Sequence, residues 1–216
     1  MLNKKIRRIV GLCMALSLCV AGSISVSAAE VPLTAEEVFP EEEVKALQEK
    51  VADLPVYQDK DENGEFSPIL TRASGNYPTR KGVVLVTDDK YKGIIPTGHA
   101  AIVYSSSRVV ESLENGVVTG ANDWNTSKST CYGLSVIGTN TSEDKEAANW
   151  CYDQLGKPYN WNYFNTSTRD KFYCSQLVWA AFYDNFGIDL STSAFGSAIH
   201  PSELVDSSNT NIIYEK

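Results

Sequence analysis

The region from residue 82 to residue 137 restricts the fold most, because it carries a series of short segments typical of β-strands. The pattern occurs at residues 83–87, 99–105, 108–113, 116–119 and 132–137. Helical patterns follow this region rather than alternating with it. Several strands followed by helices predict an α+β domain.

Two helices are predicted after the strands. A capping-box pattern at Thr141 begins the first of them. The second is predicted from about Cys174 to Phe186, with Gly187 as its C-terminal cap. Cys174 therefore lies at the start of the last clear helix.

The first 29 residues have the pattern of a secretory signal peptide. Four basic residues precede an apolar run from Ile9 to about Val20, and small residues lead to Ala29. A membrane anchor is the alternative, but the run is shorter than the roughly 20 residues that span a bilayer. A lipidated Cys19 is disfavoured because bulky Leu18 precedes it. We therefore expect a secreted or extracytoplasmic protein of the cell envelope, with no integral membrane segment after cleavage.

Removal of the leader makes the chain strongly acidic. The whole sequence has 19 Lys and Arg residues, 27 Asp and Glu residues and a formal charge of −8. The leader holds four of the basic residues and none of the acidic ones, so the mature chain carries a formal charge of −12. This charge argues against nucleic acid as a partner. The mature length suits one domain with a short appendage, and we expect a monomer.

The appendage is predicted at residues 30–78. Within it, residues 34–53 predict a helix whose main part begins near Pro40. Residues 54–78 are polar and rich in turn formers, which predicts a loop that wraps around the domain. The sequence leaves open whether the helix is structural or covers a cleft as a lid. Residues 79–216 are assigned to the main domain.

Three cysteines, Cys131, Cys151 and Cys174, remain after removal of the leader, so at least one thiol is unpaired within a monomer. Cys131 and Cys151 are predicted to be buried apolar residues, and a disulfide between them is the alternative. Cys174 lies where a helix N-terminus favours the thiolate, which is the nucleophilic form. From position alone, a small core residue is an equally good interpretation of Cys174.

A cysteine nucleophile needs a base, and His99 at the start of a predicted strand is the better candidate. His200, in a late loop, is predicted to be a surface or structural histidine. If the hairpin turn is centred on Ser106, Ala101 pairs with Glu111, and Glu111 becomes a diagonal neighbour of His99 on one face. A carboxylate there would fix the imidazole tautomer. A shift of one residue in register would remove the pair.

Four segments together resemble the circularly permuted branch of the NlpC-like papain-fold cysteine hydrolases, the YiiX/YaeF-like group. They are GHAAIVY with His99, VVESL with Glu111, LGKPYNW with Tyr159 and FYCSQLVWAAF with Cys174. In the permuted branch the histidine strand precedes the cysteine helix, as it does here. The resemblance covers about residues 79–206, and together with the lysine-rich leader it indicates a bacterial protein.

The resemblance implies a papain-like antiparallel sheet packed against helices and a cysteine amidase or peptidase. Cys174 would be the nucleophile, His99 the base and Glu111 the orienting residue. Tyr159 would direct its hydroxyl toward the nucleophile and bind the oxyanion, or else form an aromatic wall of the pocket. Together with Trp161, it would contact the substrate.

Two departures from the ordinary branch lie beside the nucleophile. That branch has an aspartate directly before the cysteine and a glycine two residues after it, and this chain has Tyr173 and Gln176 there. Tyr173 is accordingly a candidate for oxyanion or substrate contacts. Because these changes flank Cys174, the peptide specificity of the ordinary branch does not transfer.

Three hypotheses of function follow, none with a metal or cofactor, because the cysteines and histidines lack ligand spacing. The first is an amide hydrolase acting on cell-wall peptide or a related small amide. The second is hydrolysis or transfer of an acyl group on a lipid, since the permuted branch also resembles lecithin retinol acyltransferase-like enzymes. The third is a non-catalytic binding module, which the intact His99 and Cys174 disfavour.

Overall fold

The computed structural model describes residues 33–67, 74–90 and 98–216 of the chain. The predicted signal peptide therefore lies outside the described residues. No helix in these three ranges combines the length and apolarity needed to cross a bilayer.

One six-stranded sheet forms the centre of the domain. Its strands are β1 (Val84–Thr87), β2 (His99–Ser105), β3 (Arg108–Leu113), β4 (Gly116–Ala121), β5 (Tyr132–Val136) and β6 (Thr210–Glu215). The spatial order is β4-β3-β2-β1-β5-β6, and every neighbouring pair is antiparallel. The sequence predicted the first five strands. The sixth lies near the C-terminus, and the pairing with β5 that forms it is a contact between distant parts of the chain.

Six helices accompany the sheet in the described residues: α1 (Ala35–Val38), α2 (Glu41–Val51), α3 (Trp124–Ser127), α4 (Thr141–Tyr152), α5 (Cys174–Phe186) and α6 (Pro201–Asp206). The predicted helices α4 and α5 are confirmed. The single helix predicted at residues 34–53 is divided into α1 and α2, because Pro40 forms the N-cap of α2. The α+β class is confirmed by this arrangement.

Both faces of the sheet are covered, because successive side chains of β1 and β2 point to opposite faces and nearly all of them are buried. One face packs against α4 and α5 through residues such as Val84 and Ile102. The other face carries Leu85 and Ala101, which pack in a second cluster with Trp124 and the partly buried Tyr77. The start of α5 is thereby held close to the strands that carry the candidate base.

The N-terminal segment is part of the main core. Phe39 is fully buried, and its ring makes edge contacts with Tyr163, Phe195 and His200 at centroid distances of 5.2 to 5.3 Å. Three apolar side chains of α2 are also buried, and Lys50 pairs with Asp206 at 2.6 Å. A segment that contributes fully buried side chains to the core is a structural element of the domain.

Replacing Phe39 with Leu is expected to lower the free energy of unfolding by about 1–2 kcal/mol, because the smaller side chain leaves unfilled space among three rings. Chemical denaturation of the full chain measures this loss. The exposed Leu33, replaced by Ala, serves as the control and should change the stability little. Equal stability of wild type and the Phe39→Leu variant would show that the segment only rests on the surface.

A buried ionic network fixes the loop that follows α2. The Lys60 ammonium group donates hydrogen bonds to the backbone carbonyls of Val136 and Thr139 at 2.7 Å, and it pairs with Asp144 at 2.9 Å. Arg80 bridges Asp144 and Asp59, each at 2.6 Å. The Lys60 side chain is completely buried. Burial lowers the pKa of Lys60, and the neighbouring Asp144 carboxylate opposes this effect.

Candidate active site

The hairpin formed by β2 and β3 brings His99 and Glu111 together. Ala101 pairs with Glu111 as the sequence predicted, and the same register extends to Val103 before it shifts at the turn. His99 Nε2 and Glu111 Oε2 are 2.6 Å apart. The distance is typical of a charge-assisted hydrogen bond. Because Nε2 is engaged by Glu111, Nδ1 is the ring nitrogen available to Cys174.

The His99 side chain is almost completely buried, yet its surroundings favour the charged form. Burial by itself would lower the pKa of His99. Hydrogen bonds and charge interactions with Cys174 and Glu111 outweigh burial and raise the pKa to about 9. The imidazole is therefore protonated at neutral pH, a state in which it can stabilise a thiolate and later donate a proton.

Trp124 covers the imidazole. Its indole ring stacks on His99 with a centroid distance of 5.4 Å and an interplanar angle of 28°. Its backbone N–H donates to the Tyr77 hydroxyl at 2.9 Å, and that hydroxyl donates to Asn122 at 2.6 Å. The aromatic face attracts an imidazolium cation and limits the access of water to it. The sequence did not predict this role, because Trp124 approaches His99 only through the folding of the β4–β5 connection.

Cys174 is the first residue of α5, and its neighbours fasten two loops beside it. Ser175 Oγ donates to the Ile199 carbonyl at 2.6 Å. The Tyr173 hydroxyl donates to the Tyr163 carbonyl and accepts from the Ile199 N–H, at 3.2 and 3.1 Å. Tyr173 is 0 % exposed, and its hydroxyl is already engaged by two backbone groups. We therefore assign the Tyr173 side chain a structural role rather than a substrate contact.

Gln176 occupies the position at which the ordinary branch has glycine, and its side chain forms several hydrogen bonds. Its side-chain oxygen accepts hydrogen bonds from the Tyr173 N–H at 3.2 Å and from Asn160 at 2.9 Å. Its amide nitrogen donates to three backbone carbonyls between residues 165 and 168. The fully buried Gln176 thus ties the aromatic loop of residues 159–168 to the start of α5.

Tyr159 is nearly buried in this loop. Among the described residues, its hydroxyl has no partner in good hydrogen-bonding geometry, although the Tyr163 hydroxyl lies beside it. Burial and the proximity of Cys174 raise the pKa of Tyr159 well above its ordinary value. The hydroxyl therefore keeps its proton, and its position near the thiol makes it a candidate donor to a developing oxyanion.

Trp161 lies on the solvent side of Tyr159. The centroids of the two rings are 4.6 Å apart, and Trp161 is 48 % exposed. Phe164, in the same loop, is 45 % exposed. Trp161 and Phe164 therefore form an exposed apolar rim (the aromatic rim) on the loop that carries Tyr159.

The remaining cysteines and histidine have structural roles. Cys131 and Cys151 are fully buried free thiols, so the predicted apolar role is confirmed and the alternative disulfide is wrong. Burial raises the pKa of Cys131 to about 12, and burial also raises the pKa of Cys151. His200 is buried and caps α6 by accepting a hydrogen bond from the Ser202 N–H at 3.2 Å. Of its two predicted roles, the structural one is confirmed.

Comparison with known proteins supports the fold described above. Residues 89–208, more than half of the chain, match the model of the permuted papain-like amidase enzymes, the YaeF/YiiX or C92 family. The chain belongs to this family. The family is one of permuted papain-like amidase enzymes, and the permuted fold that the sequence predicted is thereby confirmed.

Two similar proteins extend the comparison. The uncharacterized protein YycO of Bacillus subtilis is 26 % identical over 140 residues, which are 62 % of this chain and 55 % of YycO. The chain thus spans little more than half the length of that relative. The crystal structure of the metalloprotein YiiX of Escherichia coli O157:H7 aligns with a TM-score of 0.51 at 14 % identity, over 64 % of this chain and 98 % of YiiX. This second likeness supports the fold alone.

The described part of the chain offers no group of three or more His, Cys, Asp or Glu side chains arranged to hold a metal ion. The donors of the site do not fit such a role either. Nε2 of His99 is engaged by Glu111, and Cys174 stands alone as a sulfur ligand. We therefore derive no step through a metal.

Glu111→Gln tests how the carboxylate acts on His99. Loss of its charge should lower the pKa of His99 from about 9 toward the ordinary 6.5. An NMR titration of the imidazole measures this change. Turnover should fall roughly 10- to 100-fold, less than for Cys174→Ala. An unchanged titration and unchanged turnover would leave a bare Cys174–His99 pair.

The raised pKa of His99 also affects the stability of the fold. Since the folded pKa of His99 lies above its ordinary value, the imidazolium stabilises the fold fully below about pH 6.5. This contribution is lost as the pH rises through about 9, and the Glu111→Gln variant should show a weaker loss over the same window.

Proposed function

We propose that this chain is an exported cysteine hydrolase that cleaves an amide bond in cell-wall peptide or a related small amide. The observation that carries the proposal is the position of His99 between two partners. Glu111 binds one ring nitrogen at 2.6 Å, and Cys174 hydrogen-bonds to the same imidazole. This is the arrangement of nucleophile, base and orienting group that acyl transfer requires.

In the proposed reaction, the Cys174 thiolate attacks the carbonyl carbon of the amide and forms a tetrahedral intermediate. Protonated His99 donates its proton to the leaving amine as the C–N bond breaks, and a thioester remains on Cys174. Neutral His99 then accepts a proton from water, whose oxygen attacks the thioester. Release of the carboxylic acid returns the thiolate and the imidazolium.

Two donors are proposed to bind the negative oxygen of the intermediate. The first N–H groups of a helix have no partner within the helix, and the backbone N–H of Cys174 is one of these in α5. The second donor is the Tyr159 hydroxyl, which is buried near the thiol and keeps its proton. Donors fixed before the reaction stabilise the developing charge without reorganisation.

Export is part of the proposal and rests on the N-terminal sequence. A basic start, an apolar run and small residues before residue 30 fit a signal peptide. The acidic mature chain suits a small neutral or cationic substrate better than nucleic acid. We propose that it acts as a monomer in the cell envelope or outside the cell.

A second candidate substrate class is supported by the aromatic rim. Trp161 and Phe164 are each nearly half exposed, on the loop that carries Tyr159. Exposed aromatic side chains on that loop provide a surface for an acyl chain. Hydrolysis or transfer of a lipid acyl group would use the same Cys174 thioester, with an alcohol rather than an amine as the leaving group.

Intact-mass spectrometry distinguishes the two classes. The protein is incubated separately with short wall-type peptides and with acyl lipids, and Cys174→Ala is the control. The proposal predicts a peptidyl-acyl adduct on Cys174 together with the release of an amine. A fatty-acyl adduct would favour the second class. Hydrolysis that persists in Cys174→Ala, or an adduct on another residue, would contradict both.

A further inference from the structure

Gly120 of β4 lies directly beside the Glu111 carboxylate. Glu111 pairs with Val118 across the β3–β4 ladder, so Gly120 is its diagonal neighbour on the same face. His99 occupies the corresponding diagonal position on the other side, in β2. The carboxylate therefore lies between the imidazole and the backbone of Gly120.

A side chain at position 120 would occupy the place of the carboxylate. A Cβ atom added to Gly120 would lie well inside van der Waals contact of Glu111 Oε1 and 3.0 Å from Glu111 Cδ. The next nearest atom, a methyl carbon of Val109, would be 3.3 Å away, which a small shift accommodates. The missing Cβ thus provides the space in which the Glu111 carboxylate sits.

The backbone of β4 does not itself require glycine at this position. The φ angle of Gly120 does not lie in the positive range that favours glycine, and Gly120 pairs regularly with Val109 in the ladder. Glycine within a strand weakens the strand, because it adds backbone entropy to the unfolded chain and packs no side chain. The space that the Glu111 carboxylate needs explains why glycine occupies position 120, although glycine weakens the strand.

We propose that Gly120 is a positioning residue of the active site, which holds the Glu111 carboxylate against His99 Nε2. The inference rests on the proposed role of His99 as the base. A larger residue would push the carboxylate away from the imidazole and lengthen their 2.6 Å hydrogen bond. The imidazole would then be less well oriented and would hold its proton less firmly.

Alkylation of Cys174 by iodoacetamide tests the proposal without requiring any amide substrate. Gly120→Ala is expected to slow alkylation at pH 7 roughly tenfold and to move the NMR titration of His99 to lower pH. Thr119→Ala, on the neighbouring residue of β4, is the control and should change neither. An unchanged His99 titration in Gly120→Ala would overturn the proposal.

A double-mutant cycle separates positioning from a general disturbance of the sheet. In a Glu111→Ala background there is no carboxylate to displace, so adding Gly120→Ala should cause no further loss of alkylation rate. A further tenfold loss there would assign the effect to Val109 or to the backbone and overturn the proposal. If Gly120→Ala alone fails to fold, Glu111→Ala should restore folding. Failure of the double variant to fold would also contradict the proposal.

The outcome is distinguishable from failure of the proposed function. A chain that hydrolyses no amide but shows the Gly120–Glu111 coupling in alkylation retains the positioning role and loses the proposed substrate. A chain that hydrolyses amides without this coupling retains the function and loses the role of Gly120.

Discussion

Replacing His99 with Ala is expected to lower amide turnover roughly 10²- to 10⁴-fold, the contribution typical of a positioned acid–base group. The cause is twofold. Without the imidazole, Cys174 loses its hydrogen bond to His99, the same bond that helps to raise the pKa of His99. The leaving amine also loses its proton donor. Steady-state hydrolysis of the peptide identified by adduct formation measures the loss.

His200 provides a matched control, because the chain has only two histidines. His200→Asn keeps a side-chain acceptor at the N-cap of α6, so the fold should be retained. Its turnover should stay near that of wild type. Comparable losses in His99→Ala and His200→Asn would contradict the assignment of His99 as the base.

Replacing Asp144 with Ala is expected to lower the free energy of unfolding by about 3–5 kcal/mol, the usual cost of removing one partner of a buried ion pair. The Lys60 ammonium would remain fully buried with only neutral acceptors, and Arg80 would lose one of its two carboxylates. Urea denaturation monitored by tryptophan fluorescence measures the loss. The cost should shrink as the pH rises, because burial already lowers the pKa of Lys60 and the neutral amine needs no counterion.

The exposed pair of Arg169 and Asp184 is the control for this prediction. Its shortest N···O distance is also 2.6 Å, but both side chains are more than a quarter exposed. Asp184→Ala should therefore cost at most about 1 kcal/mol. Equal costs for Asp144→Ala and Asp184→Ala would show that burial adds nothing to the network around Lys60.

Local patterns in the sequence predict the part of the site that depends on neighbouring residues. The β2–β3 hairpin joins segments separated by a short turn, so the position of Ser106 was sufficient to pair Ala101 with Glu111. The start of α5 at Cys174 follows from helix periodicity and from Gly187 at its end. These two local elements already contain the nucleophile, the base and the carboxylate.

The rest of the site depends on contacts between distant segments, which no local pattern reports. Trp124 reaches His99 from the connection between β4 and β5, and Gly120 matters only because of where Glu111 lies. Its neighbours in the sequence do not indicate that Gln176 hydrogen-bonds to the loop of residues 159–168. Likewise, the sequence left open whether the N-terminal helix is a lid or a structural element, and the buried ring of Phe39 places the segment in the core.

Alkylation of the native protein tests the central claim most directly, because it asks which thiol is the nucleophile. Full-length mature protein is treated with iodoacetamide at pH 7, and peptide mass spectrometry follows the three cysteines over time. Cys174 should be labelled well before Cys131 and Cys151, whose pKa values are raised by burial, and His99→Ala should slow its labelling. Equal labelling of all three cysteines in the folded protein, or a rate at Cys174 that does not depend on His99, would contradict the account.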